Sequence, residues 1–231
     1  MSIAENIAQV RTNIAQVCAQ AGRSPEEIIL VGASKMNDAA ACREAIAAGI
    51  DALGENRVQE MTAKLADNAY DGAPLHFIGH LQRNKVKQVV GKVALIQSVG
   101  SMELLEEIEK VAAREQLVQD ILLEVNIGRE EAKSGFDPDA VTAAAEAALS
   151  LPHVRVRGLM TIPPADADRD ANMRYFQEVQ ALYVDINTKL FHNELKCLSM
   201  GMSGDYMDAI RCGATMVRVG TAIFGARNYN I

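Results

Sequence analysis

The chain has 231 residues, 49% of them hydrophobic, which is enough to bury one large core. Its net charge of -7 is spread along the chain rather than gathered in a tail, which favours solubility and argues against a general nucleic-acid binder. No window approaches the roughly 18 apolar residues of a membrane span, and Met1-Ser2-Ile3-Ala4-Glu5-Asn6 lacks a basic start and an apolar signal core, so a soluble cytoplasmic protein is expected.

Apolar spacing of three and four predicts a first helix over 3–21, stopped by Gly22. A short apolar run over 28–34 predicts a strand that ends at Ser34-Lys35. A helix over 38–48 leads to a strand over 52–54, which opens onto Glu55-Asn56, and a helix over 57–66 follows. The strand over 75–79 ends in Gly79-His80-Leu81-Gln82, and Arg83-Asn84-Lys85-Val86-Lys87 reads as a charged helical surface. A strand over 94–99 precedes a helix over 102–114, with Ser101 as its cap and Glu103 favourably placed on the helix dipole. The strand over 119–126 ends in Glu124-Val125-Asn126, and Asp137-Pro138 predicts the start of a helix over 139–149. The strand over 154–161 ends in Met160-Thr161, before a helix over 171–190. The strand over 195–200 opens a glycine-rich loop, Gly201-Met202-Ser203-Gly204-Asp205, and a helix over 205–212. The last strand, 215–219, contains Arg218 and ends in Gly220-Thr221 before a single helical turn over 222–225.

The strands are rich in Val, Ile and Leu and mostly lack polar alternation, as parallel strands buried on both faces do. Eight strand–helix alternations predict an α/β fold: a single (β/α)8 TIM-type barrel over residues 1–231, with an extra helix at its N-terminus. The competing open, doubly wound sheet lacks its usual nucleotide fingerprint, because no G-x-G-x-x-G follows the first strand. Cys18, Cys42, Cys197 and Cys212 form no C-x-x-C pair and are expected as small buried hydrophobes. The four histidines have no H-E-x-x-H spacing, so no metal is expected.

In such a barrel, chemistry sits where strands end and loops begin. Lys35, taken alone, reads as a surface lysine at a strand end. A lysine leaving a strand into a pocket loses its proton more easily, and the neutral amine forms Schiff bases with aldehydes. The two glycine turns, around Ser203 and at Gly220-Thr221, offer free backbone amides of the kind that bind phosphate. Barrels often place a phosphate site at the loops after the last two strands. Together these features point to a phosphate-bearing aldehyde. Ser34 and His80 stand beside the expected pocket, Met202 lines it without chemistry, and His76 reads as structural. Lys133-Ser134-Gly135 reads as a loop at the mouth.

An ordered set of segments resembles the pyridoxal phosphate homeostasis proteins, small barrels related to the N-terminal domain of alanine racemase. Its pieces include Ala33-Ser34-Lys35, Gly54-Glu55-Asn56, His76-Phe77-Ile78-Gly79-His80-Leu81-Gln82-Arg83-Asn84-Lys85 and Lys133-Ser134-Gly135-Phe136. Gly158-Leu159-Met160-Thr161-Ile162, Ser199-Met200-Gly201-Met202-Ser203-Gly204-Asp205 and Val217-Arg218-Val219-Gly220-Thr221 complete it. The resemblance implies that Lys35 forms a Schiff base with pyridoxal 5'-phosphate. It implies that Met202, Ser203, Gly204, Gly220 and Thr221 surround the phosphate, that Arg218 faces the pyridine side, and that Asn56 lies beside the ring. The family usually has a lysine and a proline just after the Schiff-base lysine, and an aromatic residue after the asparagine. This chain has Met36-Asn37-Asp38 and Arg57 instead.

The resemblance further implies a carrier or buffer that delivers the cofactor to apo-enzymes rather than a robust catalyst. No match to the racemase's second domain is apparent, so a monomer is expected. The alternative is a slow amino-acid racemase, with Lys35 as one base and His80 or a water opposite. A third reading, an interaction protein using charged helix faces such as Gln59-Glu60, predicts no cofactor at all.

Overall fold

The computed structural model describes residues 1–225. It begins with helix α1 (Ile3–Ala21), followed by β1 (Ile29–Ala33), α2 (Ala39–Ala47), β2 (Ala52–Glu55), α3 (Val58–Ala66) and β3 (Leu75–Phe77). Then come β4 (Leu95–Val99), α4 (Met102–Arg114), β5 (Gln119–Val125), α5 (Val141–Ala148), β6 (Val154–Thr161) and α6 (Arg169–Leu190). The chain continues through β7 (Cys197–Ser199), α7 (Tyr206–Arg211), β8 (Met216–Val219) and α8 (Thr221–Phe224). The strands form a closed barrel in chain order, all parallel, as expected from the alternation. Closure is made by β1 and β8, paired from Ile29 with Met216 to Gly32 with Val219.

Local chemistry explains most boundaries. The Ser2 hydroxyl accepts from the Glu5 amide and the Glu5 carboxylate accepts from the Ser2 amide, a reciprocal cap that starts α1. Gly22 ends it at φ 66°, a left-handed position where a side chain is disfavoured. The apolar stripe Ile7, Val10, Ile14 and Val17 buries one face of α1. Hydrogen bonds from Asn6 to the Ile223 carbonyl and from Asn13 to the Tyr206 hydroxyl tie that helix to α7 and α8. Ser101 caps α4 as expected, accepting from the Leu104 amide.

Two expectations need correction. The helix foreseen over 139–149 is regular only from Val141: the Asp137 carboxylate accepts from the Asp139 amide and caps a turn that runs into it, the Asp137 carbonyl accepting from the Ala140 and Val141 amides. The connection between β3 and β4 is a 3-10 helix, Arg83–Gln88, that buries Val86, rather than an α-helix.

The core has two layers. The larger lies between barrel and helices and includes Phe77, Leu105, Ile108 and Phe176. The smaller fills the barrel: Val31, Ala52, Leu95, Leu122, Met160, Cys197 and Met216. All four cysteines are free and buried, as expected. Gly158 is required by close approach: a Cβ there would lie 1.6 Å from the Cys197 carbonyl oxygen, so only glycine lets β6 meet β7 in this register. No helix among the described residues is long and apolar enough to cross a membrane.

Candidate functional site

Strand order sets the geometry of the carboxyl end. β7, β8, β1 and β2 are consecutive neighbours, so the loops that follow them share one side of the mouth. Lys35 follows β1, half-buried, between buried Ser34 and exposed Met36. Gly220 follows β8, and a Cβ at that position would lie 3.5 Å from the Cβ and the carbonyl oxygen of Ala33. The Ser203 hydroxyl, from the loop after β7, accepts from the Gly220 amide at 3.1 Å and the Ala222 amide at 3.2 Å. These amides sit at the start of the short helix α8 and already converge on an oxygen.

Around this corner, Thr221 is exposed and Gly204 faces open space. Met202 is exposed, and its amide donates to Asp205 at 2.6 Å. Asn56 follows β2, with its Oδ1 buried and unpartnered. Arg218 lies deeper, 3% exposed inside the barrel, donating to the Ser199 hydroxyl and to the Thr161 carbonyl. Burial lowers its pKa to about 10, so it stays charged at neutral pH. Burial pushes the Glu124 carboxyl up, against the pull of the Arg218 charge, and Glu124 Oε2 has no partner.

His80 follows β3 at the same end of the barrel, where a Cβ on the preceding Gly79 would lie 2.3 Å from the Asn56 carbonyl oxygen. The His80 ring is exposed, its Nδ1 meets the Ser134 hydroxyl at 2.7 Å, and it lines a cavity of about 570 Å³ with Arg83, Ser98 and Lys133. Ser34 turns its hydroxyl onto Glu55 at 2.6 Å. Among the described residues, no group of three or more His, Cys, Asp or Glu side chains is placed to hold a metal ion.

The model for the alanine racemase N-terminal domain matches residues 6–228. The pyridoxal phosphate homeostasis protein of Aquifex aeolicus is 42% identical over 229 residues, covering 99% of this chain and all of its own. The chain belongs to this family. PipY of Synechococcus elongatus, solved with pyridoxal phosphate bound, is 33% identical to it, with a TM-score of 0.85 over 97% of this chain and 100% of PipY. The alanine racemase of Clostridium difficile shares the fold at 17% identity and a TM-score of 0.73, over 99% of this chain and 58% of the racemase.

In this homeostasis-family chain, the lysine loop is clamped from behind by residues that sequence reasoning passed over. The Lys64 ammonium, on α3, donates to the Ser34 carbonyl at 2.9 Å and to Glu55 and Glu60 at 2.7 Å each. Those three acceptors use all three ammonium protons. The Glu60 carboxylate also accepts from the Met36 amide at 2.5 Å. The backbone is therefore held on both sides of Lys35. Tyr70 donates to Glu55 Oε1 at 3.1 Å. Burial raises the Glu55 pKa, while Lys64 and Ser34 pull it back. Burial opposes the charge on Lys64, but its bonds to Glu55 and Glu60 prevail and hold its pKa above the usual value. The departure at Met36 has a geometric counterpart: its φ is +63°, a left-handed conformation uncommon for such a residue. Asp38 caps α2 by accepting from the Ala41 amide, and Arg57 opens α3 with no side-chain cap bond.

Proposed function

We propose that this chain binds pyridoxal 5'-phosphate as a Schiff base on Lys35 and serves intracellular pyridoxal phosphate homeostasis. In this reading it is a monomeric carrier that passes the cofactor to apo-enzymes without robust catalysis of its own. The observation that supports it most is that Gly220, whose amide converges with that of Ala222 on the Ser203 oxygen, lies against Ala33, two residues before Lys35. PipY, which binds pyridoxal phosphate, matches this chain over nearly its whole length.

The residues present fit the cofactor. An amide pair aimed at an oxygen, open space at Gly204 and a buried unpartnered Asn56 Oδ1 suit a ligand with a phosphate and a polar ring. Lys35 would hold the aldehyde covalently through its amine. Ser203, Gly204, Gly220 and Thr221 would hold the phosphate, with Met202 and Asn56 at its flank and beside the ring. When bound, the cofactor supplies an electrophilic aldehyde and an electron-withdrawing ring. Arg218, charged and donor-only, would disfavour protonation of the ring nitrogen if it faces the pyridine side as proposed, and so would weaken that withdrawal. A weaker electron sink makes a carbanion harder to stabilise, which accords with holding the cofactor without robust catalysis.

Two measurements test the reading. Lys35→Ala should lose the borohydride-reducible adduct; a full-stoichiometry adduct in that variant would move the bond to another lysine. Loaded protein should reconstitute an apo-enzyme faster than free pyridoxal phosphate does, and equal rates would end the carrier idea. The racemase alternative rests on kinship at 17% identity, which speaks for fold alone. His80, exposed and bonded to Ser134, adds no support for it as a second base. Deuterium exchange at the α-carbon of amino acids above the rate with free pyridoxal phosphate, lost in Lys35→Ala, would revive it.

A further inference from the structure

A large cavity lies at the opposite end of the barrel, where the strands begin. It holds about 910 Å³, within the range of small-molecule sites. Its floor includes Ile29, Ala52, Leu95, Cys197 and Met216. Its rim charges are largely matched: Arg11 pairs with Asp51 at 2.8 Å, and Asp120 pairs with Arg155 at 2.6 Å and Arg157 at 3.6 Å. Only one titratable nitrogen base, His76, reaches this cavity, and it is 6% exposed.

The protonation of His76 is dictated from the far side of the barrel. Arg218 is donor-only, so the Ser199 hydroxyl accepts from it at 2.5 Å. Ser199 must then give its own proton to Gln97 Oε1, 2.7 Å away. That fixes the Gln97 amide, whose Nε2 meets His76 Nδ1 at 2.9 Å and Met216 Sδ at 3.1 Å. A flipped amide would strand the Ser199 proton and set an oxygen against the sulfur. Nδ1 of His76 is therefore an acceptor, and its proton resides on Nε2. Burial lowers the ring's pKa to about 4, so it is neutral at pH 7. Nε2 has no hydrogen-bond partner among the described residues. The cavity thus has an apolar floor and a single neutral N–H donor.

We propose that this amino-end cavity is a second binding site, for a small, uncharged, mainly apolar molecule whose one hydrogen-bond acceptor, a carbonyl oxygen, takes the His76 Nε2 proton. A charged ligand would meet rim groups already matched and a floor that solvates no charge. A hydrocarbon would leave the buried donor unpaired.

The test uses the full-length chain with 15N-labelled histidine, titrated with acetophenone and with its hydrocarbon isostere, cumene. Acetophenone should shift the His76 Nε2 resonance saturably and bind roughly tenfold more tightly than cumene, the worth of one buried hydrogen bond. His76→Phe should erase that preference, and Ala52→Phe should block both probes by filling the floor. No saturable shift with acetophenone, equal binding of the two probes, or a His76 proton found on Nδ1 would each overturn the proposal. Retained acetophenone binding in a folded Ala52→Phe would do the same by moving the site elsewhere.

Discussion

The two ends of this barrel are built by the same strands, yet they differ completely in chemistry. At the amino end, the inward residues are Ala52, Leu95, Cys197 and Met216, with one neutral imidazole. Two residues further along the same strands stand Gln97, Ser199 and Arg218, and Glu124 follows Leu122 in the same way. A single repeat of the pleat carries the interior from thioether and thiol to guanidinium and carboxyl. Polarity along the axis is thus set by which of two alternating positions on each strand carries a heteroatom. At the carboxyl end a buried ionic cluster of Lys64 with Glu55 and Glu60 ties the loops together, while at the amino end the ion pairs stay on the rim and the interior relies on packing and one hydrogen-bond relay.

That contrast can be broken most forcefully at the carboxyl end. Lys64→Met strips the ammonium from Glu55 and Glu60 and should cost about 3–5 kcal/mol in urea unfolding, the usual penalty for orphaning a buried charge. It should also slow adduct formation at Lys35, because the Ser34 carbonyl loses its tether. Adding Glu55→Gln should recover part of the stability but not the rate. An unchanged melting curve for the single variant would show that the clamp contributes no rigidity.

Acid probes the amino end. The folded pKa of His76, about 4, lies below its ordinary 6.5, so the unfolded chain binds the proton more readily in that window. Stability conferred by the neutral ring is complete above pH 6.5 and falls as pH drops towards 4, by about 3 kcal/mol for a shift of this size. Asp208, held low by its bond to Arg169, loses stability in acid too, so the difference between the protein and His76→Phe is the quantity to follow. Parallel pH profiles for the two would contradict the buried neutral ring.

Glu124→Gln should change stability by less than about 1 kcal/mol, since no bond is lost at Oε2. The folded pKa of Glu124 is raised, so its contribution is greatest in acid and declines as pH rises through that pKa; glutamine should therefore gain on the wild type towards neutrality. A loss of several kcal/mol at pH 7 would reveal a partner for the ionised form. The smallest effect is expected at Met36→Asn, a gain of at most about 1 kcal/mol from a residue that tolerates φ +63°. A clear loss there would place the Met36 side chain in a contact that its exposure does not suggest.

The strand ends were legible because each chemical residue follows an apolar run, as Lys35 and Gly220 do, and because Ser203 and Thr221 adjoin glycines. The clamp was not, because a lysine in the last turn of an amphipathic helix reads as solvated. Its phase was the available signal: Lys64 falls three residues after Met61 and six after Val58, on the buried stripe. The relay from Arg218 to His76 joins four strands, and only barrel closure and register bring those side chains into reach. The start of α5 fell two residues late because Asp137-Pro138 caps a tight turn that leads into the regular helix.

The Ser203 hydroxyl, seated on the Gly220 and Ala222 amides, acts as a resident competitor for any phosphate that approaches them. In the proposed role it would keep both donors occupied whenever the cargo departs, so neither is stripped bare during handover. Tight capture would be sacrificed for easy turnover at that corner, which suits a molecule meant to give up what it holds.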